Sequence, residues 1–472
     1  MNADPFDGAR AHCARALTEL GDPGRHGAGD AAIAAVTVRA PAAPLETFLR
    51  ASPRPMSLLW HEPGGPAFAA SGVAARIDVA GEDRCERLGR ETERLFATLR
   101  HLSAPGAEGA PRPRVFGGLS FLPSASHPAP WDEFGDGSFT LPRWTYARTG
   151  DAAFLTLAIP VGDAKNPALD ELDAIFAALA RGAAGDAAGG PPLIAGAVPE
   201  LRQQSADVWR RHIDAVRAAI GSGAFEKIVA ARRGEAVFDR PIDDLEVLAR
   251  LAQQPGCTRF AFRRDRTTFL GATPETLFEK RGLDLTTEAL AGTIRSSAAD
   301  ADPGAAARHL LSSRKDLDEH AFVVREIRRS LAPLTVDVTN EGGPVVRHVR
   351  DIAHLHTPIA ARLRESTRAA DLVAALHPTP AVGGAPTREA ARWIVDHEPD
   401  HRGWYTGTIG WLDDAGDARF AVAIRAGVVS GDRAYLFTGA GIVKDSDADA
   451  EYAETALKQR PLLRALGMGS DP

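Results

Sequence analysis

Cysteine is scarce: three in 472 residues, Cys13, Cys85 and Cys257. They stand far apart and form no metal-ligand spacing. That excludes a disulfide framework and points to a reducing cytoplasm. No apolar run approaches a membrane span, and the polar N-terminus has no signal-peptide core, so no membrane is expected as a partner. Positive charge is short as well. The 55 Lys and Arg against 62 Asp and Glu leave a net charge of −7, which argues against a nucleic-acid footprint. No internal repeat is present. What remains, 44% apolar and 25% charged residues, is ordinary for a soluble globular protein. The length suits two or three average domains or one large one.

Residues 1 to about 30 hold Gly, Asp and Pro around one short helical pattern, and a mobile end is expected there. From Ala32 to Phe116 short strands surround one clear helix, Glu86 to Leu102, with Leu88, Leu95 and Leu99 near helical spacing. Phe116-Gly-Gly-Leu-Ser-Phe121 reads as a buried strand with close backbone approach at its glycines. Residues 130–142 look like a loop, Phe154 to Val161 a strand, and Ala168 to Arg181 an amphipathic helix. Gly182 to Pro192 is the best linker candidate. Further on, Ser205 to Ser222 reads as a helix with Val208, Ile213, Val216 and Ile220 inward. Strands are expected at Lys227 to Arg232, Arg259 to Arg263, Thr268 to Ala272, Leu285 to Ala291, Trp404 to Leu412 and Phe420 to Val429. A long helix spans about Ser312 to Ser330. Runs of strands interrupted by helices indicate α+β rather than βαβ repeats.

The most informative stretch is Thr438-Gly-Ala-Gly-Ile-Val-Lys-Asp-Ser446, followed by Glu451, Glu454 and Lys458. Gly439 and Gly441 are expected to end a strand at Phe437 in a turn whose N–H groups could meet an anion. On the helix that follows, Glu451, Glu454 and Lys458 stand at i, i+3 and i+7, on one face. A solvated Glu-to-Lys pair is the plain alternative. The stretch is no dinucleotide fingerprint, because Lys444 stands where the third glycine would be.

Other residues could carry chemistry. Lys227 lies between Phe225 and Val229 on one strand face, and the resulting desolvation favours the neutral amine that a base needs. A lysine snorkelling from an edge strand reads equally well. Glu275, in Thr273-Pro-Glu275, could be an acid on a tight turn after a buried strand, or could belong to a capped helical turn begun by Thr273 and Pro274. Glu319 sits over Phe322 and Val323 on a helix and calls for a cation, either an arginine or a metal; oxygen ligands favour Mg²⁺ over Zn²⁺. Arg425, alone in an apolar strand, needs an anion. Tyr405 offers a hydroxyl. His354 has an apolar setting in which a structural histidine is the default. Thr293 could approach a ligand.

Together these residues resemble the chorismate-utilising enzymes, which include isochorismate synthase, salicylate synthase, the anthranilate synthase large subunit and aminodeoxychorismate synthase. The resemblance is strong from about Trp209 to Leu466 and weaker upstream, where Phe116 to Phe121 and Leu141 to Trp144 still fit. It implies an α+β fold with two stacked β-sheets, helices outside and the active site in the cleft between the sheets. It implies residues 31–195 as an N-terminal part of that unit and 200–468 as the chorismate-binding catalytic part. It also implies roles. Lys227 matches the lysine that activates water, and Glu275 the acid that protonates the departing C4 hydroxyl. Glu319 and Glu454 match Mg²⁺ ligands, with Glu451 helping through water. Arg425, Tyr405, Gly439, Gly441 and Lys458 match groups that hold the substrate carboxylates; His354 and Thr293 match further pocket residues. Relatives that use ammonia usually carry glutamine at the place of Lys227, and one type of aminodeoxychorismate synthase carries a nucleophilic lysine at the place of Ala291.

Isochorismate synthase is thus the expected activity, in a cytoplasmic monomer with chorismate as substrate and Mg²⁺ as cofactor. Salicylate synthase, which eliminates pyruvate from the same intermediate, is the alternative enzyme. A silent chorismate-binding homologue is the alternative of another class, and the presence of Lys227, Glu275, Glu319 and Glu454 speaks against it. The pathway served, menaquinone, siderophore or other, stays open at this point.

Overall fold

The computed structural model describes residues 5–20, 32–52, 54–185, 199–295, 304–339, 342–349 and 352–468. The chain begins with α1 (Pro5–Leu20) and β1 (Ile33–Arg39), then α2 (Leu45–Ala51), β2 (Met56–His61) and β3 (Ala67–Val79). It continues through α3 (Arg84–Ala97), β4 (Leu99–Ser103), β5 (Arg114–Leu119), β6 (Gly137–Thr149), β7 (Ala152–Pro160) and α4 (Lys165–Ala183). Next come β8 (Glu200–Gln203), α5 (Ala206–Gly221), β9 (Lys227–Val237), α6 (Asp244–Leu251), β10 (Thr258–Arg264) and β11 (Thr267–Thr273). They lead to β12 (Thr276–Arg281), β13 (Asp284–Arg295), α7 (Ala305–Ser312), α8 (Arg314–Leu331), β14 (Thr335–Thr339), β15 (Val345–Val349) and β16 (Ile352–Leu363). The last elements are α9 (Ala369–Leu376), β17 (Gly384–Ala385), α10 (Thr387–His397), β18 (Thr408–Asp413), β19 (Ala418–Val422), β20 (Ala426–Ser430), β21 (Arg433–Ile442) and α11 (Ala448–Ala465).

The strands form one hydrogen-bonded network with two arms, joined at the long β3–β6 pair. One arm runs β3, β2, β10, β11, β20, β21, β9. The other runs β6, β5, β18, β19, β12, β13, β16. Among the described pairings only β1 with β4 is parallel. Strands from both halves of the chain meet at β2–β10 and β5–β18. Between the arms lies an aromatic core that includes Trp60, Phe68, Phe116, Phe269, Trp404 and Trp411. Two stacked layers with helices outside are therefore the observed α+β architecture. Close approach is built in where the sequence places glycines: a Cβ at Gly117 would strike the Ser138 carbonyl, and one at Gly118 the Trp404 ring.

Local chemistry explains the helices that face the site. On α5, Ser205 accepts the Val208 N–H as N-cap, and Trp209, Ile213, Val216 and Ile220 are buried at helical spacing. Each such burial stabilises by about 2 kcal/mol. Trp209, rather than the expected Val208, faces inward, and its Nε1 donates to the Ala448 carbonyl at 2.9 Å, tying α5 to α11.

Several expectations need correction. Residues 5–20 are a packed helix instead of a mobile end, because Cys13, Ala16, Leu17 and Leu20 make a buried stripe. The helix expected to reach Leu102 stops at Ala97, and Leu99 opens β4, which pairs with β1. The loop expected to reach Pro142 is already strand from Gly137, held by β3 on one side and β5 on the other. The long helix expected from about Ser312 to Ser330 is present as α8, and Ser313 is its N-cap. The strand expected from Trp404 begins only at Thr408, after Thr406 at φ +59°. The expected linker at Gly182 begins inside α4, and its part from 186 onward lies outside the described residues. Among the described residues no helix is long and apolar enough to cross a membrane.

Candidate active site

A pocket of about 260 Å³ opens between the arms. Lys227 and Val229 of β9 line it, with Gly439 and Gly441 of the adjacent β21. Across from them stand Glu275, Leu290 to Gly292 of β13, Glu319 of α8 and His354 of β16. Tyr405, Arg425, Glu451, Glu454 and Lys458 line it too, as does Asp316 of α8. Of the twelve residues expected at a site, eleven line this one pocket. The twelfth, Thr293, pairs with His354 beyond a bulge at Gly292, and its side chain lies outside the described residues.

The glycines act differently from expectation. Gly439 and Gly441 make no turn: β21 runs through both, opposite Ala231 and Val229. Their role is close approach. A Cβ at Gly441 would lie 2.6 Å from Lys227 Cε, and one at Gly439 would lie 2.8 Å from the Ala230 carbonyl oxygen and 3.5 Å from Tyr405 Oη. Gly441→Ala should therefore displace the Lys227 amine and leave the backbone unstrained. A misplacement of about 1 Å can cost about 10²-fold in rate, so kcat should fall by that order while the melting temperature hardly moves. A variant of full activity would show that the approach is not needed.

Lys227 opens β9 and meets Glu319 at 2.6 Å. Glu319 thus has a cation, but a lysine from another element rather than an arginine. Val229 joins Lys227 on the pocket wall. Phe225, expected beside them, instead packs edge-on against Trp393, before the strand begins.

Glu275 lies in the two-residue link between β11 and β12, so no helical turn forms and the capping reading fails. Thr273 Oγ1 accepts the Glu275 N–H at 3.3 Å and donates to the Val422 carbonyl at 2.7 Å, with no helix following. Burial, and after it the negative charge of Glu288, push the Glu275 carboxyl up to about 7, against the opposing pull of the Thr379 hydroxyl and Lys227. Thr379 Oγ1 donates to Glu275 Oε1 at 3.4 Å.

The strand expected from Phe420 to Val429 is broken in two at Arg425, which adopts φ +52°. Burial lowers the Arg425 guanidinium from its ordinary value, and Tyr405 and Glu454 pull the other way from a distance. Among the described residues Arg425 makes no direct ion pair, and it lines the pocket. Burial also lowers Lys458, which contacts Glu454 at 2.7 Å and donates to the Gly439 carbonyl at 2.9 Å. The Glu-to-Lys pair foreseen on α11 exists, and it faces the pocket. Glu451 accepts from Ser446 Oγ at 2.9 Å.

His354 is a buried histidine held near 3 by burial and by the neighbouring Arg425, hence neutral; its Nδ1–H donates to the Gly292 carbonyl at 3.2 Å. Burial raises the Tyr405 hydroxyl well above its ordinary value, and its ring stacks on Phe437. Asp316 and Thr379 were not foreseen. Asp316 is one polar residue in a polar first turn, and Thr379 stands in an irregular loop, so neither carries a periodic signal.

Comparison with known proteins decides the family. The model of the chorismate binding enzymes matches residues 20–467. The chain belongs to the chorismate-binding enzymes. Isochorismate synthase MenF of Bacillus subtilis is 36% identical over 356 residues, 75% of each chain. The salicylate biosynthesis isochorismate synthase of Pseudomonas aeruginosa is 35% identical over 433 residues, 90% of this chain and 88% of the relative. The solved structure of MenF, the menaquinone-specific isochorismate synthase from Escherichia coli, superposes with a TM-score of 0.78 at 24% identity, covering 99% of this chain and 100% of that one. Anthranilate synthase component I from Streptococcus pneumoniae superposes at 0.64 and 22% identity, over 87% of this chain and 92% of that one. These two show the fold.

Proposed function

We propose that this chorismate-binding enzyme is an isochorismate synthase. The observation that carries the reading is the pairing, in one pocket, of an amine at Lys227 with a carboxyl at Glu275 held up to about 7. Water is a weak nucleophile and needs a base; hydroxide is a poor leaving group and needs an acid. In its neutral form Lys227 takes a proton from water as the water oxygen bonds to C2. The ring double bonds shift toward C4, the C4–O bond breaks, and Glu275 gives its proton to the departing oxygen. Chorismate is a dianion, and in a net-negative protein Arg425 and Lys458 supply the charge that holds it.

The donor set suits Mg²⁺. Glu319, Glu451 and Glu454 offer oxygen alone, yet among the described residues no three His, Cys, Asp or Glu stand close enough to enclose an ion. Mg²⁺ commonly uses one or two protein carboxylates and fills its shell with water and substrate oxygens. Glu319 and Glu454 are the residues that would hold it, with Glu451 acting through water. Bound there, the ion would orient the substrate and polarise its ring carboxylate.

The test is incubation with chorismate and MgCl₂, with products separated by chromatography. Isochorismate is expected, and excess EDTA should abolish it. Salicylate as main product would shift the reading to the pyruvate-eliminating enzyme. Full turnover under EDTA would remove Mg²⁺ from the account.

A further inference from the structure

Glu288 of β13 lies behind the pocket and lines no part of it. Its carboxylate is held at three points. Oε1 accepts the Thr276 N–H at 3.1 Å, and Oε2 accepts from Arg347 Nη1 at 2.9 Å and from His356 Nε2 at 2.8 Å. A carboxylate can only accept, so His356 carries its proton on Nε2. Thr276 is the residue directly after Glu275. The chain from β13 through Glu288 thus grips the backbone of the link that presents Glu275.

We propose that Glu288 is a positioning residue for Glu275, fixing its link through the Thr276 amide and keeping a negative charge behind its carboxyl. This rests on the reading of Glu275 as the proton donor. Burial raises the Glu288 carboxyl, but His356, Arg347 and the Thr276 N–H outweigh it and hold the group below its ordinary value. The groups that face Glu275 come from several elements. Lys227 of β9 and Thr379, in the loop after α9, favour its charged form, and Glu288 opposes it. Behind Glu288 stand Arg347 of β15 and His356 of β16, with His320 of α8 beyond His356. Glu288 is the carboxylate in this set that acts against ionisation of Glu275. Without it the acid would surrender its proton at lower pH.

Glu288→Gln tests this, because glutamine can still accept the Thr276 N–H but carries no charge. It also leaves Arg347 without its carboxylate, which shifts Glu275 the same way. The alkaline limb of the kcat profile should move to lower pH by about one unit. Glu288→Asp keeps the charge but shortens the reach to Thr276; kcat should fall across the profile while the limb stays. If Glu288→Gln does not fold, the Asp variant still decides, since a limb displaced there as well overturns the proposal. An unmoved limb in a folded Glu288→Gln enzyme overturns it too. Wild-type protein that makes no isochorismate would sink the functional reading instead, so the two failures are distinguishable.

Discussion

Glu275→Gln should lower kcat by about 10²–10⁴-fold while KM for chorismate stays within a factor of about three. The carboxyl supplies a proton and holds no part of the dianion; an ionised Glu275 would if anything repel the substrate. The sign of the pH effect follows from the raised carboxyl. Below about 7 the group is protonated and can donate; above it the proton is lost and turnover declines. Wild-type kcat should therefore fall as pH rises through that value. The glutamine variant has no proton to lose, so its residual activity should show no such limb. Steady-state kinetics across pH checks both halves. Turnover within a factor of about three of wild type would mean that the carboxyl is only a structural part of the β11–β12 link.

The sequence made most of this site legible residue by residue, because its members sit in short runs of distinct chemistry: a lysine in an apolar strand, a Pro-Glu after a buried strand, carboxylates at helical spacing. Order along the chain then fitted one family. The shapes that bring those runs together were less visible. Gly439 and Gly441 read as a turn because glycine permits one, yet β9 on their flank keeps β21 extended, and pairing overrides local preference. Arg425 read as one residue of a long strand. Nothing in Ala-Ile-Arg-Ala announces a positive φ, which tertiary pairing of β20 with β11 imposes through contacts far away in sequence. Glu288 gave no signal at all. Its importance lies in partners 12, 59 and 68 positions away, at Thr276, Arg347 and His356.

Lys227→Ala should remove water addition, with a fall in kcat of about 10²–10⁴-fold, while the protein stays folded and still binds chorismate. The side chain lies on a wall shared with Val229 and Gly441, and Glu319 of α8 meets its amine at 2.6 Å. That placement, at the start of a strand buried on both sides, suits a group that must approach one face of the ring. Ammonia needs no such base, since its own lone pair attacks, which fits the glutamine that ammonia-using relatives of this family usually carry there. The wild-type enzyme fed chorismate with ammonium salts should thus still yield isochorismate. The removal of Lys227 leaves Glu319 without its lysine, so binding is checked separately by calorimetric titration of the variant with chorismate in MgCl₂. A variant that binds and does not turn over assigns Lys227 to the chemistry. Anthranilate or aminodeoxychorismate as the main wild-type product would take the base out of the mechanism and place the enzyme among the aminating members of its family.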